Sequence, residues 1–181
     1  NSLVFFDEDI TIDKSNEQGN AAIKKNNVAF KKLLLIATLC NNAVGKQGEN
    51  KKKHLGDPIE IALLQFVHSG KINAADINAS HPRIAEEPFN SETKLMATLH
   101  KKDTGNFVAA KGAVEELINK CSLYYLGDRV IPLADADKKI FLHKAEIIQA
   151  QGSKVLAFAF KEAANISTSD FLSDLTLAGL I

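Results

Sequence analysis

Three consecutive stretches of strand-like sequence, joined by links too short to hold a helix, constrain this chain more than any other feature. Arg83 to Phe89 and Thr93 to His100 flank Asn90-Ser91-Glu92, and the turn Lys102-Asp103-Thr104-Gly105 leads into Asn106 to Lys111. Successive side chains of a strand point to opposite faces, so the alternation Leu95, Ala97, Leu99 suits a half-buried strand. A parallel crossover needs a dozen or more residues, so links this short make neighbours antiparallel. The expected fold class is α+β: a largely antiparallel sheet flanked by helices.

The covering helices are legible on either side of this meander. Val28, Phe30, Leu33, Leu34, Ile36, Ala37 and Cys40 recur at three- and four-residue steps, predicting a helix from about Val28 to Asn42 with Asn27 as its cap. Asp57, Pro58 and Glu60 form a strong helix start, and that helix should run to about His68 and stop at Gly70. A short helix is expected around Asn73 to Ala79, another over Ala113 to Cys121, and a long amphipathic one over Ala136 to Gln151, closed by Gly152. Leu123 to Leu126 and Val130 to Leu133 surround a Gly-Asp turn and read as a hairpin. Lys154 to Phe160 has apolar residues at both parities and should be covered on both faces, and Leu175 to Ile181 is the last strand. Asn1 to Ile12 reads as an extended entry, Gly19 to Asn27 as a loop, and Gly45 to His54, with Lys46 and Lys51 to Lys53, as an exposed loop.

Composition narrows the function. The chain of 181 residues is 45% hydrophobic and 24% charged, enough to bury a core as a single domain, 1–181. Lys and Arg number 22 against 22 Asp and Glu, so there is no basic excess of the kind that coats nucleic acid. The longest apolar run, Leu33 to Ala43, is cut by Thr38, Asn41 and Asn42, short of the ~18 residues of a membrane-spanning helix, and no direct membrane contact is expected. Cys40 and Cys121 share no ligand spacing and should be buried thiols. The five histidines are scattered, so no protein metal site is expected. The Gly-rich phosphate loops and the local signatures of nucleophilic catalysis are missing, leaving no catalytic residue to name.

Three segments combine features that a core alone does not demand: Gly56-Asp57-Pro58-Ile59-Glu60, Pro88-Phe89-Asn90-Ser91-Glu92-Thr93-Lys94-Leu95-Met96, and Lys111-Gly112-Ala113. The second sets an aromatic ring near a lysine, and the third places a lysine before a glycine that lets a planar ligand approach the backbone. An adenine nucleotide needs a stacking surface, an acceptor for its amino group and cations for its phosphates.

In this order and at these spacings the segments resemble the nucleotide-binding domain of P-type cation-transporting ATPases. Gly56, Asp57, Glu60, Ala62, Leu63 and Leu64 match that family's Gly-Asp-x-x-Glu helix. Pro88, Phe89, Lys94 and Met96 approach its Pro-Phe-x-Ser-x-x-Lys-x-Met pattern, and Lys111, Gly112, Ala113 and Glu115 its Lys-Gly-Ala-Pro-Glu pattern. The likeness continues through Gly152 to Ala157 and Asp174 to Leu180. It implies that Phe89 stacks on adenine, Glu60 accepts from the adenine amino group, Lys94 and Lys111 line the pocket, Gly112 forms its floor, and Lys154 lies near the phosphates. The family's proline is Val114 here, and Ser91, although it fits the serine of that pattern, stands where cation pumps often carry a basic residue.

The family's phosphorylated aspartate, magnesium segment and transmembrane helices do not occur in this sequence, and Asn1 and Ile181 fit the points where the nucleotide-binding domain joins the rest of such a pump. The resemblance therefore implies the cytoplasmic domain of an integral membrane ATP hydrolase and ion translocase. Such a domain works with phosphorylation and actuator domains on ATP, with Mg2+ in the full-length protein, and the isolated chain should bind ATP without hydrolysing it. The alternative is a non-catalytic interaction module with a decayed nucleotide pocket. The transported ion is not legible.

Overall fold

The computed structural model describes residues 2–4, 9–11, 28–46, 53–69, 72–166 and 171–181. In chain order its elements are β1 (Ser2–Val4), β2 (Asp9–Thr11), α1 (Val28–Leu39), β3 (Val44–Lys46), β4 (Lys53–Leu55), α2 (Pro58–Ser69), α3 (Ala74–Ser80), β5 (Arg83–Asn90), β6 (Leu95–Lys102), β7 (Gly105–Ala113), α4 (Val114–Leu117), β8 (Cys121–Leu126), β9 (Arg129–Pro132), α5 (Asp135–Ala150), β10 (Leu156–Ala163) and β11 (Leu175–Leu180). A single 3-10 turn, Ile118–Lys120, links α4 to β8.

The main sheet runs β2-β1-β11-β10-β7-β6-β5, with β8 beside β11 and β9 beside β8. Every pair is antiparallel except β8 with β11. The β5-β6-β7 meander is the one the short links demanded. β10 lies against the outer side of β7, with Phe158 opposite Lys111 and Phe160 opposite Ala109.

Pleating divides the core into two layers. On one face α1, α2 and α3 pack on Met96, Phe107, Ala109, Phe158 and Phe160. On the other, α4 and α5 pack on Leu95, Ala97, Val108, Ala110, Ala157 and Leu177. β10 contributes to both, as its two-sided apolar sequence required. Phe107 and Phe158 are fully enclosed, and burying each such ring stabilises the fold by about 1.5–3 kcal/mol.

Several polar groups within the layers are paired, although Asn106 Oδ1 is buried without a hydrogen-bond partner. Lys32 Nζ lies 4.5 Å from the Phe160 ring centre and 2.6 Å from Glu162, which Lys102 also holds at 3.1 Å. Burial alone would raise the Glu162 pKa, but the hydrogen bonds from the two lysines bring it below the usual carboxylate value. His100 is buried on β6, with Nδ1 2.9 Å from the His81 carbonyl and Nε2 2.9 Å from Thr98 Oγ1. A carbonyl only accepts, so Nδ1 carries the proton. Burial pushes the His100 pKa down to about 4.

The structure departs from the sequence expectations in four places. Val44–Lys46 and Lys53–Leu55 pair as short antiparallel strands with Val44 opposite Leu55, where the lysine-rich sequence suggested only a loop. β7 continues through Gly112 to Ala113, because Gly112 pairs with Leu95 and Ala157 and so sits inside the ladder. The helix expected over Ala113 to Cys121 is one short turn plus the 3-10 turn, since Cys121 pairs with Leu175 as the start of β8. α1 ends at Leu39, and the chain bends at Cys40, whose thiol lies 3.6 Å from the Met96 carbonyl of β6. The expectations for Gly19 to Asn27, Lys51 and Lys52, and Gly70 lie outside the described residues.

Candidate functional site

Strand register brings most of the sequence-predicted residues to one end of the sheet. Asn90, Leu95, Gly112 and Ala157 stand opposite one another across β5, β6, β7 and β10. Phe89 and Lys94 are therefore immediately beside this row, Lys111 is one step inside it on β7, and Lys154 lies just before β10. One aromatic ring and three lysines thus stand at the same end of the sheet, with Lys111 turned inward and Phe89 and Lys154 lining separate depressions. Positions from 5 to 67 residues apart meet here because the meander folds back on itself and β10 closes against β7.

Glu60 joins from the helical layer. Asp57 caps α2, its Oδ1 accepting from the Ile59 amide at 2.8 Å, so Glu60 falls in the first turn. Lys111 shares the pleat parity of Phe107 and Ala109 and so faces the α1–α2 layer. There its Nζ donates to Glu60 Oε1 at 2.7 Å. The side chains are only 8% and 14% exposed respectively. Water screens such a pair weakly, and removing either partner would leave the other charge unpaired and away from water. Glu60 is thus more than a helix-start residue: its carboxylate is fixed by a lysine 51 positions away.

On the neighbouring flank of α2, Pro58, Ile59, Ala62 and Phe66 wall an open cleft of about 430 Å³, closed opposite by Ile148, Leu156 and Ile181. This volume is within the range of small-molecule sites. Lys154 is exposed and lines the cleft, so a cation stands beside an apolar wall.

The β5–β6 turn holds the remaining residues. Asn90 Oδ1 accepts from the Glu92 amide at 2.7 Å, and the Lys94 amide donates to the Asn90 carbonyl at 2.7 Å. Lys94 has φ +54°, the left-handed region that non-glycine residues occupy at a cost. The conformation is fastened from outside the turn, because the Lys94 carbonyl accepts from the Ala113 amide at 3.1 Å. Lys94 Nζ reaches Glu115 at 3.6 Å, with both side chains about half exposed. Phe89 is 62% exposed, so its ring is not a core aromatic.

Gly112 has a packing role that the sequence did not reveal. A Cβ there would press on the Lys94 carbonyl oxygen and lie 2.6 Å from Leu95 Cδ2. It would project to the face opposite Lys111, into the protein. The glycine permits close approach of β6, and a methyl group would not simply crowd an incoming ligand. Val114 is buried at the first position of α4, a position that equally accepts proline, so this departure from the family pattern is a packing change.

Two polar residues that sequence patterning did not single out complete the surroundings. Asn41 and Arg83 meet at the end of α1, and Asn41 bonds the Glu60 carbonyl oxygen at 3.0 Å. Side-chain bonds to carbonyls leave no sequence signature, because every residue carries one.

Residues 29–181 match the family described as P-type ATPase, cytoplasmic domain N. The chain is 32% identical over 158 residues to calcium-transporting ATPase 1 of Bacillus cereus, covering 86% of this chain and 17% of that protein. It is 30% identical over 163 residues to the sodium/potassium-transporting ATPase alpha subunit of Hydra vulgaris, covering 86% and 16%. Against calcium-transporting ATPase 1 of Lactococcus lactis it is 32% identical over 167 residues, covering 90% and 19%. The chain thus spans less than a fifth of the length of these relatives.

Proposed function

We propose that this chain, which belongs to the family of P-type ATPase cytoplasmic N domains, binds ATP by its adenine end and positions the γ-phosphate for transfer to an aspartate in another domain. What supports this reading is that Phe89, Lys94, Lys111 and Lys154 fall at the same end of the sheet by strand register, with Lys111 bonded to the Glu60 carboxylate. Phe89 offers an open ring for the base. Glu60 can accept from the exocyclic amino group through the carboxylate that Lys111 anchors. Lys94 and Lys154 flank the stacking and cleft regions as cations for the phosphates. Gly112 contributes backbone at the floor and lets β6 approach.

Under this reading residues 1–181 form one domain of a longer cation-transporting pump and work in the cytoplasm with its phosphorylation and actuator domains. No described helix is long and apolar enough to cross a membrane. Among the described residues no three His, Cys, Asp or Glu side chains gather as a metal site; in this reading Mg2+ accompanies ATP in the full-length protein. When bound, the metal neutralises phosphate charge. This chain's residues hold and orient the base and ribose end, and the phosphoryl acceptor lies elsewhere, so the isolated chain should bind ATP without turnover.

Calorimetric titration with ATP, with and without Mg2+, beside amide chemical shifts and a phosphate-release assay, tests the proposal. Shifts should cluster at Glu60, Phe89 and Lys111, and no phosphate should be released. Absence of such shifts would favour a non-catalytic module, and sustained release abolished by Phe89→Ala would demand a separate active site in this chain.

A further inference from the structure

The turn that ends α1 is locked to the first turn of α2 by one side chain. Asn41 Nδ2 donates to the Glu60 carbonyl oxygen at 3.0 Å and to the Ala37 carbonyl at 3.3 Å, while its Oδ1 accepts from the Ala43 amide at 2.8 Å. The carboxamide thus spends both donor hydrogens and one acceptor on three backbone groups and has little freedom to move. Gly56 allows the same approach from the other side, since a Cβ there would lie 2.9 Å from Ala43 Cα at φ +148°.

Arg83, at the start of β5, braces that turn. Its Nη2 donates to the carbonyls of Leu39 at 2.8 Å and Asn41 at 3.0 Å, and its Nη1 to Asn42 Oδ1 at 2.6 Å and Glu86 Oε2 at 2.7 Å. The planar fork satisfies carbonyls at the end of α1, with the cation where the helix dipole favours one. A continuous series of bonds therefore runs from Arg83 through the backbone and carboxamide of Asn41 to Glu60.

We propose that Asn41, braced by Arg83, is a positioning residue for base selectivity: it sets the α2 turn from which the Glu60 carboxylate meets the base. The proposal rests on the ATP-binding reading above. Neither residue needs to touch the nucleotide. A helix start that shifts by a fraction of an ångström would misplace the acceptor while leaving Phe89, on the far end of β5, free to stack on any base.

The test compares ATP with GTP by calorimetry in Asn41→Asp, which keeps the acceptor for Ala43 but sets an oxygen against the Glu60 carbonyl. The preference for ATP should fall about two- to tenfold, the range one ordinary hydrogen bond commands. In a Glu60→Gln background the same change should produce no further fall, because both act through one group. Arg83→Lys, which keeps the charge and loses the fork, should give a smaller fall of the same kind and serves if Asn41→Asp fails to fold. An unchanged preference in the folded variants, or an equal fall in the Glu60→Gln background, overturns the proposal. If the unmodified chain binds neither nucleotide, the ATP reading fails and takes the selectivity role with it. The positional claim is then judged by hydrogen exchange at Ile61 to Leu64, where unaltered protection in Asn41→Asp overturns it as well.

Discussion

Two lysine–glutamate pairs stand at the same end of the sheet and obey different physics. Lys111 and Glu60 are 2.7 Å apart and largely shielded, whereas Lys94 and Glu115 are 3.6 Å apart with side chains 52% and 53% exposed. Removing a partner from the first strands a charge away from water; removing one from the second leaves a charge that water already solvates. The shielded pair is a fixed fixture of the site, and the open pair can separate cheaply when an anion approaches Lys94. One end of the sheet therefore carries both a rigid buried pair and a lysine, Lys94, that can leave its partner at little cost.

The sharpest way to break this contrast is Lys111→Met, which leaves Glu60 buried without its partner and should cost about 3–5 kcal/mol of folding stability. Urea unfolding measures it, and a loss below about 1 kcal/mol would mean that the two pairs are equivalent. Gly112→Ala follows, with about 1–3 kcal/mol expected from forced displacement of Leu95 and the Lys94 carbonyl. Unchanged unfolding with weakened ATP binding would return Gly112 to a purely ligand-facing role. Phe89→Ala should leave stability within about 0.5 kcal/mol, since the ring is mostly in water. Its ATP affinity should fall by about 1–3 kcal/mol in calorimetry if the ring stacks on the base. Glu115→Gln is the smallest, changing stability by about 0.5 kcal/mol or less, and any gain in ATP affinity at low salt would sharpen the view that Lys94 is released to the ligand.

How far the sequence reached depended on how local each cause was. Turn residues and period-2 patterning made β5, β6 and β7 legible, and Asp57-Pro58 marked α2 because the cap lies within its own segment. Family motifs marked Glu60, Phe89, Lys94, Lys111, Gly112 and Lys154, but no motif states that Glu60 and Lys111 bind each other. The β3–β4 strand pair was hidden because its lysines read as solvated loop, while the pairing of Val44 with Leu55 is a matter of register. Gly112 looked like a strand terminator because glycine often is one; only the neighbouring strand shows what its missing side chain makes room for. The parallel β8–β11 contact joins segments about fifty residues apart and follows from closure of the whole sheet. Asn41 and Arg83 carry no sequence mark, because their targets include main-chain carbonyls.

The enclosed imidazole of His100 makes unfolding a proton-consuming reaction in mild acid. Its native pKa is about 4 against an ordinary 6.5, so between those values the unfolded chain binds the proton that the folded one refuses. Stability must then rise with pH across that window, be complete above about 6.5, and be lost as pH falls toward 4. The lowered Glu162 carboxylate acts in the same direction but only at pH below its ordinary 4.5, so the two are separable by range. Urea midpoints at pH 5 and pH 7 should differ, and His100→Gln should flatten that difference while leaving the steeper loss at lower pH. Near pH 5 the chain should take up about one more proton on unfolding than it does at pH 8, which calorimetry in buffers of differing ionisation enthalpy counts directly.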